Sequence, residues 1–339
     1  MDSSPPFTTA IVGCGGISRA HGDAIEGNDD RIDFVACCDV DPDAADAFAD
    51  RYGVPRTYTK LEELLASEEL DVVILATWPN LHEAQVLTCV EAGVPAVLCE
   101  KSLSTNAESG ARMVRAAAEG ETLLVEAFMY RHHPRTLELV ERLESGEIGD
   151  LRHVRAGFHM KVEDESNWRR DPDRAGGVAY DLTSYPVNFV GGLFGEPPER
   201  VAAEWIRRED GLVESLYATL RYPEGTVAII ESSQTAAYRL PLEVRGIEGA
   251  LSIEHAWLPD DVIERISGNW QEDFERERIE TQNADPYEEQ ILHVCECLER
   301  GAEPRFTAAE SVRNAAVMDA LLESAETGRF VAPTVPEGF

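Results

Sequence analysis

The stretch Phe7-Thr8-Thr9-Ala10-Ile11-Val12-Gly13-Cys14-Gly15-Gly16-Ile17-Ser18 decides the fold. A short apolar run, Phe7 to Val12, enters a glycine-rich turn, and Ile17 to Ile25 then reads as a helix. Strand, glycine turn and helix in that order open a dinucleotide-binding βαβ unit. Alone, Gly-x-Gly-x-x-Ser is a weak signal, because glycines also make ordinary turns. Its place between a strand and a helix gives it meaning. Gly13 suits the tight turn, and Gly15 lets a pyrophosphate approach the backbone. Gly16 and Ile17 lead into the helix whose N-terminal amides would receive that anion. Ser18 stands where Gly or Ala is usual, so helix–strand packing must adjust. Asp39 ends the second apolar run, 21 residues after Ser18. An acid there bonds the adenosine ribose hydroxyls and repels a 2′-phosphate, which favours NAD over NADP. A second reading, that Asp39 only caps the turn Asp39-Val40-Asp41-Pro42, stays open.

Outward from this unit, strand and helix alternate. Strands are expected at 32–38, 57–58, 71–76, 94–99 and 122–127, and helices at 42–52, 61–65, 82–92 and 106–118. Asp71-Val72-Val73-Ile74-Leu75-Ala76 is almost wholly apolar, as a strand covered on both faces should be. Regular alternation predicts a doubly wound parallel sheet. The pattern changes near residue 130. Helices at 136–145 and 182–193 flank an extended run at 151–159. Strand candidates then follow at 200–207, 215–222, 226–234, 242–246 and 250–254 without helices between them, and helices return at 287–300 and 307–327. The expectation is an α/β Rossmann domain over 1–125 and an α+β domain over 126–339 with a large, mostly antiparallel open sheet. No internal repeat or low-complexity segment interrupts the chain.

Bulk composition narrows the function. The chain has 339 residues, 43% hydrophobic, with 64 acidic and 30 basic residues and a net charge of -34. That field repels nucleic acid. The acid is spread over helix surfaces rather than gathered in a tail, and only Lys60, Lys101 and Lys161 are lysines. A dispersed acidic, lysine-poor surface resembles proteins of salt-loving archaea, where molar salt screens self-repulsion. No apolar run reaches the roughly 20 residues that span a bilayer. Met1-Asp2-Ser3-Ser4-Pro5-Pro6 lacks the regions of a signal peptide, so a cytoplasmic location is expected. The seven cysteines show no Cys-x-x-Cys spacing and read as reduced thiols, with no metal site expected.

At Glu100-Lys101 the sequence resembles a family, that of glucose–fructose oxidoreductases and inositol dehydrogenases (Gfo/Idh/MocA). Five segments stand in family order: Gly13-x-Gly15; Ala76-Thr77-Trp78-Pro79-Asn80-Leu81-His82; Cys99-Glu100-Lys101; Glu126-Ala127-Phe128-Met129-Tyr130-Arg131-His132-His133-Pro134; and Gly176-Gly177-Val178-Ala179-Tyr180-Asp181-Leu182-Thr183-Ser184-Tyr185. The likeness runs from about residue 7 to residue 330. Asn167-Trp168-Arg169-Arg170-Asp171-Pro172 resembles the branch of sugar 1-dehydrogenases, such as D-xylose dehydrogenase, and dimeric dihydrodiol dehydrogenases. Two positions depart from the pattern. Ser102 replaces a proline that usually fixes a bend, often through a cis bond, and Trp78 replaces a smaller residue.

The resemblance implies an NAD- or NADP-dependent dehydrogenase acting on CH–OH groups of a sugar or polyol. It also implies a homodimer or homotetramer formed through the C-terminal sheet. Oxidising such a group sends a hydride to the cofactor and a proton to the protein. The resemblance nominates Lys101 to hydrogen-bond the reacting oxygen, Tyr185 as acid/base, and Asp181, one helical turn earlier, as support. Thr77, Asn80, His82 and Glu100 are placed near the cofactor, and Trp168 and Arg169 near the sugar. The expected reaction is hydride transfer from C1 of a cyclic aldose, giving a lactone. Alternatives are oxidation of a ring carbon, as in inositol or dihydrodiol dehydrogenases, and a dinucleotide-binding sensor without turnover.

Overall fold

The computed structural model describes residues 5–268 and 275–339. The Met1–Ser4 part of the N-terminal reading lies outside the described residues. The chain forms two compact units. The first comprises Met1–Ser104, Glu108–Met129 and Tyr287–Ala309; the second comprises Thr105–Ala107, Tyr130–Pro286 and Glu310–Phe339.

In the first unit, β1 (Phe7–Val12), β2 (Ile32–Cys38), β3 (Arg56–Tyr58), β4 (Val72–Leu75), β5 (Ala96–Glu100) and β6 (Leu123–Ala127) form one sheet. Its order is β3-β2-β1-β4-β5-β6, and every neighbouring pair is parallel. The crossovers are α1 (Ser18–Glu26), α2 (Pro42–Tyr52), α3 (Leu61–Ser67), α4 (His82–Glu91) and α5 (Ala107–Glu119). Parallel strands need such crossovers, and helices on both faces explain why β4 and β5 are buried at every residue. Strand order reverses between β1 and β4, the switch point at which doubly wound sheets bind ligands. Helix α8 (Pro286–Arg300) returns to this unit, where Ile291, Val294 and Cys295 join the core that contains Ile11, Cys37 and Ile74.

The second unit begins with α6 (Pro134–Glu144) and carries an eight-stranded sheet. Its strands are β7 (Leu151–His159), β8 (Arg200–Arg207), β9 (Val213–Arg221), β10 (Val227–Ser233), β11 (Leu242–Gly246), β12 (Gly249–Ile253), β13 (Val262–Ser267) and β14 (Glu275–Glu280), in the order β14-β13-β12-β11-β7-β10-β9-β8. All pairs are antiparallel except β7 with β10. Those two are joined by a long connection that includes α7 (Ser184–Phe194). The expected strands are present, and two more extend the sheet. They read as polar in sequence because β13 carries Glu264 and Arg265 at its centre and β14, the edge strand, is charged at every residue but Ile279. Helix α9 (Ala308–Thr327) belongs mostly to this unit.

The expected helix at 182–193 has a different start. Ala179–Thr183 form a π-helical turn that runs into α7. Such turns are uncommon and gather at functional sites.

Candidate active site

The glycine loop has the geometry its sequence asks for. Gly13 has φ +94°, and a Cβ built on it would stand 2.7 Å from the Ala76 carbonyl oxygen. Only glycine fits there. A Cβ at Gly15 or Gly16 would meet nothing within 4 Å, so the loop leaves space for a group to approach the backbone. No side chain caps the start of α1 after Ile17, which leaves its end suited to an anion. Ser18 is fully buried and donates its hydroxyl to the Gly15 carbonyl at 2.6 Å. The larger third residue thus ties down the loop instead of spoiling its packing. Asp39 receives the Cys14 N–H on Oδ2 at 2.7 Å and the Asp41 N–H on Oδ1 at 2.9 Å. These features fit a dinucleotide whose pyrophosphate meets the loop and whose ribose meets Asp39.

Past the ends of β4 and β5, buried polar side chains organise the turn that bears Lys101. Lys101 is half-buried, and the Lys101–Ser102 peptide is cis, so the bend associated with proline exists here with serine. His82 is fully buried. Its Nδ1 lies 2.9 Å from the Ser102 carbonyl and its Nε2 lies 3.1 Å from the Thr77 carbonyl. Burial pushes its pKa down. The neutral ring has one N–H, so it donates to one of these carbonyls at a time, and His82 lies between the loops that follow β4 and β5. Thr77 donates its hydroxyl to Gln85, and Asn80 is exposed in the same turn. Glu100 accepts the Lys101 N–H at 3.1 Å, and its other oxygen lies 2.9 Å from His21 Nε2 on α1. Glu126 accepts the Leu103 N–H at 2.7 Å. His21 and Glu126 were not assigned from sequence. A histidine among the apolar positions of a helix reads as core, and only the strand pairing places Glu126 of β6 beside the residues that follow β5.

In the second unit, three nominated residues come together. Asp181 is 1% exposed and receives the Arg169 Nε–H at 2.6 Å. The Arg169 guanidinium in turn lies 4.8 Å from the Trp168 ring centre. Gly176 holds this loop together: a Cβ there would meet the carbonyls of Asp171, Trp168 and Arg169 within 2.9 Å. Tyr185 is buried within an aromatic collar, its ring centre 5.2 Å from Phe158 and 5.9 Å from both Tyr130 and Trp257. Trp257 is itself fixed, with Nε1–H donated to the Gly157 carbonyl at 2.8 Å. Arg135 is 1% exposed and donates to the carbonyls of His255, Ala256, Leu258 and Asp260, clamping the segment that carries Trp257. Burial lowers its pKa to about 10, so it remains charged at neutral pH. Arg135 and Trp257 also escaped the sequence reading, since their partners are long-range.

Residues 7–128 match the model of an oxidoreductase family with an NAD-binding Rossmann fold, and residues 136–252 match the C-terminal domain of the same family. D-xylose 1-dehydrogenase (NADP(+)) 2 of Haloferax volcanii is 32% identical over 88% of this chain and 91% of its own. The chain belongs to the Gfo/Idh/MocA oxidoreductase family. As a member it is an NAD(P)-dependent oxidoreductase. Mouse trans-1,2-dihydrobenzene-1,2-diol dehydrogenase is 33% identical over 68% of each chain. Among solved structures, KijD10, a 3-ketoreductase from Actinomadura kijaniata in complex with NADP and TDP-benzene, is 26% identical with a TM-score of 0.86, covering 94% of this chain and 98% of that one.

Proposed function

We propose that this oxidoreductase takes a hydride from C1 of a cyclic aldose, xylose- or glucose-like, and releases a lactone. The observation that carries the reading is the Asp181–Arg169 pair beside a collared Tyr185 on one helical segment, in a chain 32% identical to a D-xylose 1-dehydrogenase. Buried polar groups next to aromatic faces suit a ring that bears hydroxyls. A bound nicotinamide supplies the hydride acceptor. Lys101 hydrogen-bonds the reacting oxygen and stabilises the charge that develops on it. Tyr185, as the phenolate, accepts the hydroxyl proton and becomes the phenol, and Asp181, oriented by Arg169, holds a neighbouring hydroxyl. Gly13, Gly15, Gly16, Ile17 and Asp39 bind the dinucleotide, NAD in preference to NADP. His82 and Glu100 support it by fixing the turn at Lys101.

A second reading, oxidation of a ring carbon in an inositol or diol, is favoured by the 33% identity to a dihydrodiol dehydrogenase. The sensor reading is weaker, because the chain keeps both Lys101 and Tyr185. We further read the protein as a cytoplasmic homodimer or homotetramer, with a salt-adapted surface. Ile206, Tyr217 and Ile229 are 54%, 40% and 40% exposed, and strand alternation places them on the sheet face opposite Ile230 and Leu216. Light scattering tests that assembly.

The deciding assay is reduced-nicotinamide absorbance in molar KCl with NAD and NADP, against aldoses, inositols and diols. Turnover of an aldopyranose, abolished by Lys101→Ala and strongly reduced by Tyr185→Phe, is the expected result. Turnover confined to a ring-carbon substrate refutes the C1 assignment. Dinucleotide binding without any turnover refutes the enzyme reading.

A further inference from the structure

Gln234 follows β10, and its backbone is held on both sides. Its N–H is donated to the Glu214 carbonyl at 2.8 Å, and its carbonyl accepts the Val162 N–H at 2.9 Å. The side chain is 0% exposed, yet neither its amide oxygen nor its amide nitrogen has a hydrogen-bond partner among the described residues. Buried amides in folded proteins are almost always bonded, because an unmet donor or acceptor opposes folding. An amide left this way asks for a ligand.

Its position says which ligand. Strand alternation puts Gln234 on the same sheet face as Ser232 and Ile230. Ser232 pairs with Phe158 across β10 and β7, and Phe158 packs edge-on against Tyr185. Ser232 Oγ is also fully buried, with no hydrogen-bond partner among the described residues. On β9, Glu214 forms an ion pair with Arg170 at 2.9 Å, one residue from the Arg169 that holds Asp181. Gly177, which leads into the π-helical turn, would bring a Cβ within 3.0 Å of the Val213 carbonyl, next to Glu214. Gln234 therefore lies on the Tyr185 and Asp181 side of the sheet.

We propose that the Gln234 side-chain amide is a specificity-determining group that binds a substrate hydroxyl on a carbon other than the one oxidised. An amide offers two donors and one acceptor, and a hydroxyl is both donor and acceptor, so the pairing is mutual and carries no net charge. A site built this way rejects analogues that lack the hydroxyl, since binding them leaves the amide unmet. This inference rests on the reading that the substrate is a polyhydroxylated ring.

Gln234→Met tests it, because methionine keeps the shape and removes both polar ends. Two measurements are made in molar KCl: thermal unfolding without ligands, and steady-state kinetics with D-xylose, D-glucose, myo-inositol and their deoxy analogues. The expected result is a melting temperature raised by about 2–4 °C. With it come a KM raised about tenfold or more, a kcat that falls less than KM rises, and an unchanged dinucleotide Kd. The wild-type preference for the hydroxylated sugar over one deoxy analogue should collapse in the variant. A lowered melting temperature overturns the proposal, since the amide would then be holding the fold. So does an unchanged KM in an enzyme that turns over a sugar, a result that leaves the substrate reading standing. A wild-type protein that oxidises no panel member removes the substrate reading and this inference together, and is recognised from the wild type alone.

Discussion

The buried pair formed by His21 of α1 and Glu100 of β5 should couple strongly enough to measure. Their side chains meet at 2.9 Å, with His21 1% and Glu100 5% exposed. A hydrogen bond to an ionised group contributes about 1.5–3 kcal/mol, and stranding a buried charge outright costs about 3–5 kcal/mol. In His21→Leu the Glu100 carboxylate keeps the Lys101 N–H at 3.1 Å as a donor, so the lower range applies and about 2 kcal/mol is expected. For a domain of this size that lowers the melting temperature by about 4–8 °C. Thermal unfolding of four proteins closes the cycle: wild type, His21→Leu, Glu100→Met and the double variant. Glu100→Met leaves His21 without its carboxylate, so the double variant should be less destabilised than the two singles added together, by about 2 kcal/mol. If the singles add to within about 0.5 kcal/mol, the two side chains do not support each other, and the argument that α1 steadies the turn at Lys101 fails.

Gly13→Ala should weaken dinucleotide binding at least tenfold in a fluorescence titration, because a left-handed backbone with a Cβ costs about 1–2 kcal/mol before the 2.7 Å clash with Ala76 is counted; wild-type affinity would contradict the loop geometry. Burial, reinforced by the neighbouring Arg135, lowers the His133 pKa from 6.5 to about 4. The unfolded chain therefore binds a proton there first. Its stabilising contribution is complete above pH 6.5, falls as pH drops towards 4 and is flat below. His133→Asn keeps an acceptor for the Arg135 N–H and should flatten the stability profile in that window by up to about 1.4 kcal/mol per pH unit, read by denaturant unfolding at several pH values. With a net charge of -34, thermal stability should climb steeply between about 0.1 and 1 M KCl, where the screening length falls from about 10 to about 3 Å, and a flat response would rule out charge repulsion as a limit on stability.

Local signals made the first unit legible. Its strands are continuous apolar runs, its turns carry glycine, and helix periodicity fills the gaps, so a doubly wound parallel sheet followed once the fingerprint was placed. The second unit was harder for stated reasons. β14, at the sheet edge, carries Ile279 as its single apolar residue, and Val262-Ile263-Glu264-Arg265-Ile266-Ser267 shows no period-2 alternation to announce it. The parallel pairing of β7 and β10 depends on a connection of nearly seventy residues that no local pattern encodes. The π-helical turn at Ala179–Thr183 differs from an α-turn only in hydrogen-bond register, which composition does not report. In the candidate site, Lys101, Asp181 and Tyr185 stood in recognisable motifs. Arg135, Trp257, Glu126 and His21 act through partners far along the chain, so their roles emerge only from packing.

The two readings of Asp39 need not compete. Its oxygens each accept one backbone N–H, from Cys14 and from Asp41, so the side chain does hold the turn. A carboxylate has about four acceptor sites, and those two bonds leave the rest available for ribose hydroxyls while fixing the group beside the glycine loop. The same charge opposes a 2′-phosphate, and the following residues add to it. Asp41, Asp43, Asp46 and Asp50 precede Arg51, with no basic residue before it in α2. The relative from Haloferax volcanii carries NADP(+) in its name, so family membership alone does not choose the cofactor. Concentrated salt weakens repulsion between exposed charges more than a hydrogen bond in a half-buried turn. The proposed preference for NAD should therefore rest on a ribose bond to Asp39 at high salt, and on both that bond and the acidic surroundings as salt is withdrawn.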